Sequence, residues 1–318
     1  MAAVGVAFLL AVEINRLLRE AGWYTPERPA PDLRTLLDIV ALGTVADVVP
    51  LIGANRALVT QGLKVMANRK NAGLTSLADV GRVSEAPTAY HAGYVLGPRV
   101  NAGGRVGEAG LGARLLTTDD PNEARQIAEK LDKYNEERRY IEAEVLEVAT
   151  EQMEALYGPE GIPDTIVVAH GEGWHTGVIG IVASRLKDKY GVPSLVIGAD
   201  GTEAKGSARS ISGVDLGAAI IEAVQQGLLL KGGGHAMAAG LTVATDRIDE
   251  LTSFLKEQLR AQVKLAQKGR ALKIDAIVAL TGATPHLVDQ IERVGPFGAG
   301  NPGPRFAIPE VALIKVDR

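Results

Sequence analysis

The segment of this chain best suited to binding an anion runs from Lys231 to Gly240 and reads KGGGHAMAAG. Three consecutive glycines leave the backbone bare, so a ligand can approach it closely, and His235 follows them directly. Backbone N–H groups beside an imidazole suit a phosphate, which makes Gly233, Gly234 and His235 candidate phosphate-binding residues. The alternative is a glycine-rich turn that only connects two structural elements.

Two segments further upstream carry hydrogen-bond donors among small residues. In one of them Ser207 and Ser210 flank Arg209, and hydroxyl and guanidinium groups both bind phosphate oxygens. In the other, His175 directly precedes a predicted helix, where free N–H groups and the positive end of the helix dipole attract anions. A plain helix cap is the alternative for His175. Arg185, ten residues further on, is expected to form a structural ion pair.

A third segment, GPRVNAGGR, places two arginines around an asparagine. Arg99, Asn101 and Arg105 lie among glycines and other small residues, and we interpret the segment as a loop. Because guanidinium groups bind phosphate through two parallel hydrogen bonds, the three residues are candidates for a second phosphate site. Surface arginines that cap a helix are the alternative.

Asp47 is the one carboxylate in the apolar run ALGTVADVVPL. A charge in such a run is costly unless it is paired or bound to a metal, and hard cations prefer carboxylate oxygens. The alternative is an aspartate that caps a helix or binds the backbone in a turn. Asp38, nine residues earlier, is interpreted as structural.

Composition excludes several classes of protein. The 318 residues include no cysteine, so neither disulfides nor thiolate zinc sites are available. The formal net charge of −4 predicts that any contact with nucleic acid comes from a local basic patch. The apolar stretch from Val4 to Val12 is far shorter than the ~20 residues of a membrane span, and it lacks the basic flank of a signal peptide.

Helical periodicity is clearest in the middle of the chain. Asp120, Pro121 and Glu123 form a capping-box pattern, and Gly158 followed by proline ends the helix that they begin. Its length predicts an interdomain connector, with a long edge helix of one domain as the alternative. The apolar stripe of this helix comprises Ile127, Leu131, Tyr134, Ile141, Val145 and Val148.

Shorter elements are predicted on both sides of the long helix. Before it, 36–42 is a helix or a buried strand, 55–68 a helix and 110–116 a short helix or turn. After it, strands at 165–169 and 194–198 enclose a helix at 177–190, a pattern typical of a parallel pair. The remaining predicted elements are helices at 213–225, 248–267 and 285–293, and strands at 241–244, from Leu272 onward and at 305–307.

In sequence order, these motifs resemble those of the RecJ family of single-strand DNA exonucleases, within the DHH phosphoesterase superfamily. The resemblance extends from GVAF at Gly5 to GPFGAGNP ending at Pro302. It implies an α/β protein in four parts. These are the C-terminal part of a DHH domain (1–117), a connector helix (118–160), an α/β DHH-associated nucleic-acid-binding domain (161–268) and the start of an OB-type β-barrel (269–318).

The resemblance also implies an activity, which is metal-dependent 5′-to-3′ hydrolysis of single-stranded DNA in recombination and repair. Asp47 would bind Mn²⁺ or Mg²⁺ in a two-metal site whose other ligands lie mostly outside this chain. Arg99, Asn101 and Arg105 would hold the DNA backbone or its 5′ phosphate. The residues expected to grip the nucleic acid are His175, Ser207, Arg209, Ser210, Gly233, Gly234 and His235. A single-strand-binding protein and a helicase are the implied partners, with a bacterial cytoplasm as the location and no membrane contact.

The chain departs from the family pattern in one respect, since it contains no Asp-His-His sequence. We therefore expect a piece of the family protein that lacks both ends and is weak or inactive alone. Three other interpretations stay open. They are a DHH-type phosphodiesterase of short oligonucleotides or signalling nucleotides, a non-catalytic DNA-binding scaffold, and an editing-type domain of a tRNA synthetase.

Overall fold

The structure, a computed structural model, describes residues 1–269, 271–312 and 315. They form two compact units. The first contains Met1–Gly103, Gly107–Asn135 and the described residues from Leu272 onward, and the second contains Gly104–Val106 and the described residues of Glu136–Ala271. The four-part division expected from the sequence stays a prediction. None of the described helices combines the length and apolar composition that a membrane span requires.

Helices make up most of the first unit. Helices α2 (Leu37–Ala46) and α3 (Gly53–Ala67) cross closely at Gly62. A Cβ placed on Gly62 would lie only 2.1 Å from the carbonyl oxygen of Leu37. The run that could be a helix or a strand is thus a helix. Up to residue 117 the α-helices are α1 (Ala3–Glu20), α2 (Leu37–Ala46), α3 (Gly53–Ala67), α4 (Ala72–Val80), α5 (Gly97–Val106) and α6 (Leu111–Thr117).

The prediction of a loop at GPRVNAGGR is wrong, because these residues form α5. A π-helical segment, His91–Leu96, leads directly into it, and Pro98 stands in its first turn, where a missing N–H costs nothing. Ala102 and Gly103 are buried, so the small residues serve close packing. The glycine content suggested a loop, but glycine disfavours a helix by only about 1 kcal/mol relative to alanine, and packing outweighs that.

The long helix α7, Pro121–Tyr157, has the predicted 37 residues. Asp120 caps its start by accepting a hydrogen bond from the N–H of Asn122, and Gly158 ends it with a φ of +81°. The capping box is only half formed. Glu123 binds the hydroxyl of Thr118 and the guanidinium of Arg114, and this lowers the pKa of its carboxyl group.

Helix α7 supplies residues to two separate cores. Ile127 and Leu131 lie in the core of the first unit, whereas Val145 lies in the core of the second. The predicted stripe is wrong at Val148, which is 43% exposed, while Ala149 beside it is fully buried.

The second unit is built on one mixed sheet of five strands in the order β1-β2-β3-β5-β4. Helix α8, Thr176–Tyr190, connects β1 to β2, and these two strands are parallel as predicted. The other neighbouring strands are antiparallel. The strands are β1 (Val167–Glu172), β2 (Ser194–Asp200), β3 (Glu203–Arg209), β4 (Lys231–His235) and β5 (Ala238–Ala244).

Strands β3 and β4 are absent from the sequence-based prediction, and the glycine run expected as a loop or turn is β4 itself. Glycine, alanine and lysine are depleted in strands, so neither segment shows the usual signal. Two more helices, α9 (Leu216–Gln225) and α10 (Ile248–Lys268), complete the unit.

The helices cover different parts of the two sheet faces. Helix α8 packs on the face that carries Ser207 and Arg209, because Gly180 of α8 approaches both side chains. Helix α9 packs on the opposite face, where a Cβ on Gly232 of β4 would meet Ile220. On the α8 side of β4, Gly233 is exposed.

The last segment forms small elements within the first unit. Strands β6 (Ala276–Ile277) and β7 (Phe306–Ala307) pair in parallel, with helix α11 (Pro285–Glu292) between them in sequence. The predicted strand, helix and strand are therefore present, although the strands are short. Arg270, Leu313, Ile314 and residues 316–318 of the predicted third domain lie outside the described residues.

The GPFGAGNP segment folds against the loop that joins α2 to α3. The N–H of Leu51 donates to the carbonyl oxygen of Ala299 at 2.7 Å, and Arg56 donates to that of Gly295 at 3.3 Å. Gly300 has a φ of +68°, and a Cβ there would lie 2.8 Å from the Cβ of Pro50. The segment therefore supports the turn that follows α2.

Two glycine substitutions should separate packing from helix propensity. Gly62→Ala is expected to destabilise the protein by about 1–3 kcal/mol, because the methyl group would collide with the backbone of α2. Gly104→Ala, whose Cβ would meet no atom within 4 Å, should stabilise it by up to about 1 kcal/mol. Urea unfolding of both variants measures the two free energies, and similar effects of the two substitutions would contradict the close crossing.

Candidate nucleic-acid interface

Asp47 ends helix α2 and is exposed to solvent. The expected cost of burying its charge in an apolar run is therefore wrong. The turn after the helix brings the N–H of Val48 to the carbonyl oxygen of Val45 and that of Val49 to the carbonyl oxygen of Thr44, at 3.0 and 3.2 Å. This is a Schellman-type ending, in which Asp47 is the C-cap residue of α2.

Two features of this turn are unfavourable without a cation. Val48 adopts a φ of +55°, a left-handed conformation that is a true outlier for a β-branched residue. A carboxylate at the negative end of a helix dipole is also unfavourable. Backbone strain of this kind clusters at functional sites, and a bound cation would relieve the electrostatic part of the cost. Asp38, by contrast, is 3% exposed and binds the N–H of Ile39, and burial raises the pKa of its carboxyl group.

The described residues fit a metal ion only in part. Asp47 offers one hard oxygen ligand, yet within the described part of the chain no three His, Asp or Glu side chains come close enough to share an ion. Two-metal chemistry needs several such ligands around both ions. The described residues therefore do not form a two-metal site by themselves.

The arginines and the asparagine of GPRVNAGGR have different environments. Arg99 is largely buried, donates to Asp132 at 2.7 Å and to the carbonyl oxygen of Val95 at 2.8 Å, and thus holds α5 to α7. These bonds occupy its guanidinium with structural partners. Asn101 is exposed on α5. Arg105 at the end of α5 is exposed and belongs to the second unit.

The N-terminus of α8 lies beside Arg105. The guanidinium of Arg105 donates to the carbonyl oxygen of Gly177 at 3.1 Å, and a Cβ on Gly177 would lie 2.2 Å from the carbonyl oxygen of Arg105. His175 caps the helix, since its Nδ1 accepts from the N–H of Gly177 at 3.0 Å. The helix-cap alternative for His175 is therefore present in the structure. A neutral His175 carries its proton on Nε2, which leaves a donor on this exposed side chain.

Ser207 and Arg209 project from β3 toward α8. Arg209 donates to the hydroxyl of Ser207 at 3.1 Å and to the carbonyl oxygen of Ala208 at 2.8 Å. A Cβ on Gly180 would lie 2.9 Å from both the Arg209 guanidinium and the Ser207 hydroxyl oxygen, so this glycine permits the contact. Burial lowers the pKa of Arg209, and the nearby charge of Arg105 lowers it further.

Arg105 and Arg209 belong to a larger group of cations, named here the arginine cluster: Arg105, Arg138, Arg185 and Arg209. Burial lowers the pKa of Arg138; Glu142 opposes this effect, whereas Arg105, Arg139 and Arg185 add to it. Glu142 is 8% exposed and pairs with Arg138 at 2.8 Å and with Arg185 at 3.3 Å. The ion pair expected for Arg185 is thus confirmed. Glu142 thus offsets part of the positive charge of the cluster.

Three further candidate residues differ in their surroundings. Ser210 is 1% exposed, and its hydroxyl donates to the carbonyl oxygen of Val214 at 2.9 Å, so it serves the core. Gly234 packs against its own sheet, because a Cβ there would lie 2.4 Å from the carbonyl oxygen of Ala238. Gly233 and His235 are exposed on the α8 side of β4.

Sequence reasoning missed Arg138 and Glu142. Their i,i+4 spacing on a predicted helix was a signal for an ion pair. Arg105 lies 33 residues before Arg138 in the sequence, so no local sequence pattern indicated that the charge of Arg105 acts on Arg138.

A mixed sheet with arginines, a serine and a histidine near a helix N-terminus gives this α/β domain the hydrogen-bond donors and positive charge that suit a phosphate. Residues 164–261, which include all five strands, match the model of the DHHA1 domain, and residues 274–318 match that of the RecJ OB domain. The chain thus contains both domains, and it is similar to RecJ proteins over 96% of its length.

A single-stranded-DNA-specific exonuclease RecJ from Dickeya dadantii is 38% identical to the chain over 313 residues, which cover 96% of this chain and 54% of that protein. The chain therefore spans about half the length of this curated relative. Crystal structures of RecJ from Thermus thermophilus, in complex with Mg²⁺ and with Mn²⁺, superpose with TM-scores of 0.69 and 0.71 at 30% and 29% identity. Each covers 91% of this chain, which in turn covers 43% and 41% of those chains.

The charge balance around Glu142 gives a stability prediction. Glu142→Gln should destabilise the protein by about 3 kcal/mol, because it replaces the carboxylate that pairs with the largely buried Arg138 by a neutral amide. Arg185→Ala should cost less than about 1 kcal/mol, because Arg185 is 64% exposed. Urea unfolding monitored by circular dichroism compares the two, and an equal loss in both variants would show that Arg138 does not depend on Glu142.

Proposed function

We propose that the protein to which this chain belongs is a metal-dependent exonuclease that degrades single-stranded DNA from its 5′ end. Arg105, Arg209 and Ser207, which lie against the first turns of α8, carry this proposal. In this interpretation the second unit holds the DNA, and Asp47 in the first unit contributes to hydrolysis. The relative's function supports the proposal, and the chain's own contacts give it a physical basis.

The phosphate seat consists of complementary donors. Arg105 and Arg209 repel each other, as the lowered pKa of Arg209 indicates, so an anion between them is electrostatically favoured. The N-terminus of α8 adds N–H groups and the positive end of its dipole. Ser207 and the Nε2 of His175 are further donors. A terminal phosphate carries more charge than an internal diester, so this seat should prefer a phosphorylated 5′ end.

Asp47 would provide one oxygen ligand to a metal site. The bound metal ions would activate water and stabilise the leaving oxygen during cleavage of the phosphodiester. The described residues contribute to this chemistry one exposed carboxylate, held by the turn that Pro50, Leu51 and the GPFGAGNP segment support.

The partners and location are proposed on the resemblance. We propose a single-strand-binding protein and a helicase as partners, because an exonuclease of this kind needs exposed single strands, and a bacterial cytoplasm as the location.

Binding measurements test the seat directly. The 318-residue chain should bind a 5′-phosphorylated oligothymidine more tightly than the matched 5′-hydroxyl oligonucleotide. Arg209→Ala should remove this preference and reduce the slope of log K against log salt by about 0.7, the contribution of one phosphate contact to a single strand. Arg260→Ala, an exposed arginine on α10, is the control and should change neither quantity. A wild-type chain that binds both ends equally would contradict the 5′ seat.

Nuclease assays test the role of Asp47. We expect little Mn²⁺-dependent digestion of single-stranded DNA by the chain alone, because its described residues offer one metal ligand. Fusion to the part of the Dickeya relative that this chain does not span should restore digestion, and Asp47→Asn should abolish it. Asp79→Asn, an exposed carboxylate paired with Arg69, is the control and should remain active. Full activity of the Asp47→Asn fusion would exclude Asp47 as a ligand.

A further inference from the structure

Two tyrosines of the first unit expose a large aromatic surface that the proposed function does not use. Tyr90 directly precedes the π-helical segment His91–Leu96 and Tyr94 lies within it, and the two residues are 62% and 75% exposed. Their rings stack, with centroids 5.2 Å apart and planes at 27°. Ring pairs at i,i+4 stabilise a helix only slightly, whereas π-helical turns often occur at functional sites. The pair therefore suggests a ligand.

The stacked tyrosines line a cavity of about 270 Å³. All of its lining residues belong to the first unit. This volume is just below the range of about 300–1,000 Å³ that is typical of small-molecule sites, so the cavity suits one planar group rather than several nucleotides. We name it the tyrosine pocket, after a lining that includes Ala46, Val48, Tyr90, Gly93, Tyr94 and Phe297.

The tyrosine pocket adjoins the turn that carries the candidate metal ligand. Ala46 and Val48, the residues on either side of Asp47, both line it. The left-handed φ of Val48 contributes to this arrangement, because it turns the chain sharply after α2 and leaves the valine 71% exposed at the cavity. A group bound in the pocket would therefore lie next to the Asp47 turn.

The lining of the pocket indicates which chemical group it binds. No charged side chain is among the described residues that line it, so the pocket offers little to a free phosphate or a metal ion. Its lining is mostly apolar and contains three aromatic rings, those of Tyr90, Tyr94 and Phe297. Proteins that bind single-stranded nucleic acid use such rings as stacking surfaces, and they tolerate any sequence because every base has a flat π-face. The lining thus fits a nucleobase.

We propose that the tyrosine pocket binds one unpaired nucleobase of a single-stranded polynucleotide, stacked on the Tyr90–Tyr94 pair. The proposal rests on the proposed function, because a single-stranded polynucleotide is the ligand proposed there. A base in a duplex is paired and stacked on both faces, so it cannot enter the pocket. Since each base is attached to a sugar between two phosphodiesters, holding one base positions a phosphodiester near the Asp47 turn.

Oligonucleotides that lack one base test the pocket on the 318-residue chain. The ligands are a 5′-phosphorylated oligothymidine of ten nucleotides and ten versions of it, each with one abasic tetrahydrofuran residue that keeps every phosphate. The wild-type chain should bind at least one abasic version about tenfold more weakly than the intact decamer, as expected for the loss of one stacked base. Its salt slope should not change, because the number of phosphate contacts is the same.

Substitutions connect this loss to the tyrosines. Tyr90→Ala combined with Tyr94→Ala should bind the intact decamer about tenfold more weakly and should no longer respond to the sensitive abasic position. Tyr94→Phe keeps the ring and should behave as the wild type. Tyr140→Ala removes a tyrosine of α7 that is 65% exposed, and as the control it should keep both the affinity and the abasic response. Urea unfolding of each variant shows whether the fold is retained.

Photocrosslinking tests the contact without any substitution. A decamer with 5-iodouracil at the sensitive position should crosslink to Tyr90 or Tyr94 on irradiation, and mass spectrometry of the peptides identifies the site. Crosslinks that form only elsewhere would overturn the proposal. A wild-type chain that tolerates all ten abasic positions equally would also overturn it, and so would a folded double variant that keeps the abasic response.

The tyrosine pocket and the phosphate seat fail in different ways. If the wild-type chain prefers the 5′ phosphate and Arg209→Ala removes that preference, while no abasic position matters, the pocket is refuted and the seat stands. If the abasic response depends on the tyrosines but the chain binds phosphorylated and hydroxyl 5′ ends equally, the seat is refuted and the pocket stands. A wild-type chain that binds no single-stranded DNA refutes both.

Discussion

The close contact between α8 and β3 at Gly180 is the constraint on which the second unit's proposed interface depends. A Cβ at this position would lie 2.9 Å from both the Arg209 guanidinium and the Ser207 hydroxyl, so a glycine lets both side chains keep these positions beneath the helix. Arg209 is partly buried there, and the charge of Arg105 acts on it. The contact also places the helix N-terminus beside the same two charges. The absence of a Cβ at Gly180 therefore allows the N-terminus of α8, the guanidinium groups of Arg105 and Arg209 and the hydroxyl of Ser207 to lie near one another.

The sequence predicted the elements that have strong local signals. The long helix α7 was predicted at its full length, because proline and aspartate begin it and glycine ends it. The parallel strands β1 and β2 were predicted from their apolar runs. Strands β3 and β4 were not, since their residues favour other conformations. Pairing with β2 and β5 stabilises β3, and pairing with β5 stabilises β4. Lys205 and Lys231 lie in the same row on either side of β5, because both are paired with Thr242. No sequence pattern within either segment predicts this strand register.

The GPRVNAGGR segment shows why the candidate site could be predicted only in part. The sequence suggested a loop that could direct both arginines toward one phosphate. On a helix, six residues correspond to a rotation of about 240°, so Arg99 and Arg105 point in different directions. Arg99 binds Asp132, whereas Arg105 contacts α8. The residue types suggested phosphate binding. Which arginine is structural and which is exposed depends on the helical backbone, which the sequence pattern did not predict.

Helix α7 has a consequence for how the protein opens. Its first half is anchored by Leu131 in one core and its second half by Met153 in another, with no break in the helix between them. Helix formation is cooperative, because starting a new helical segment is far less favourable than extending an existing one. Each core therefore stabilises its own half of the helix, and the residues between the two halves can be extended from either side. Amide hydrogens at the middle of α7 should consequently exchange with solvent more slowly than those of an isolated helix of the same sequence.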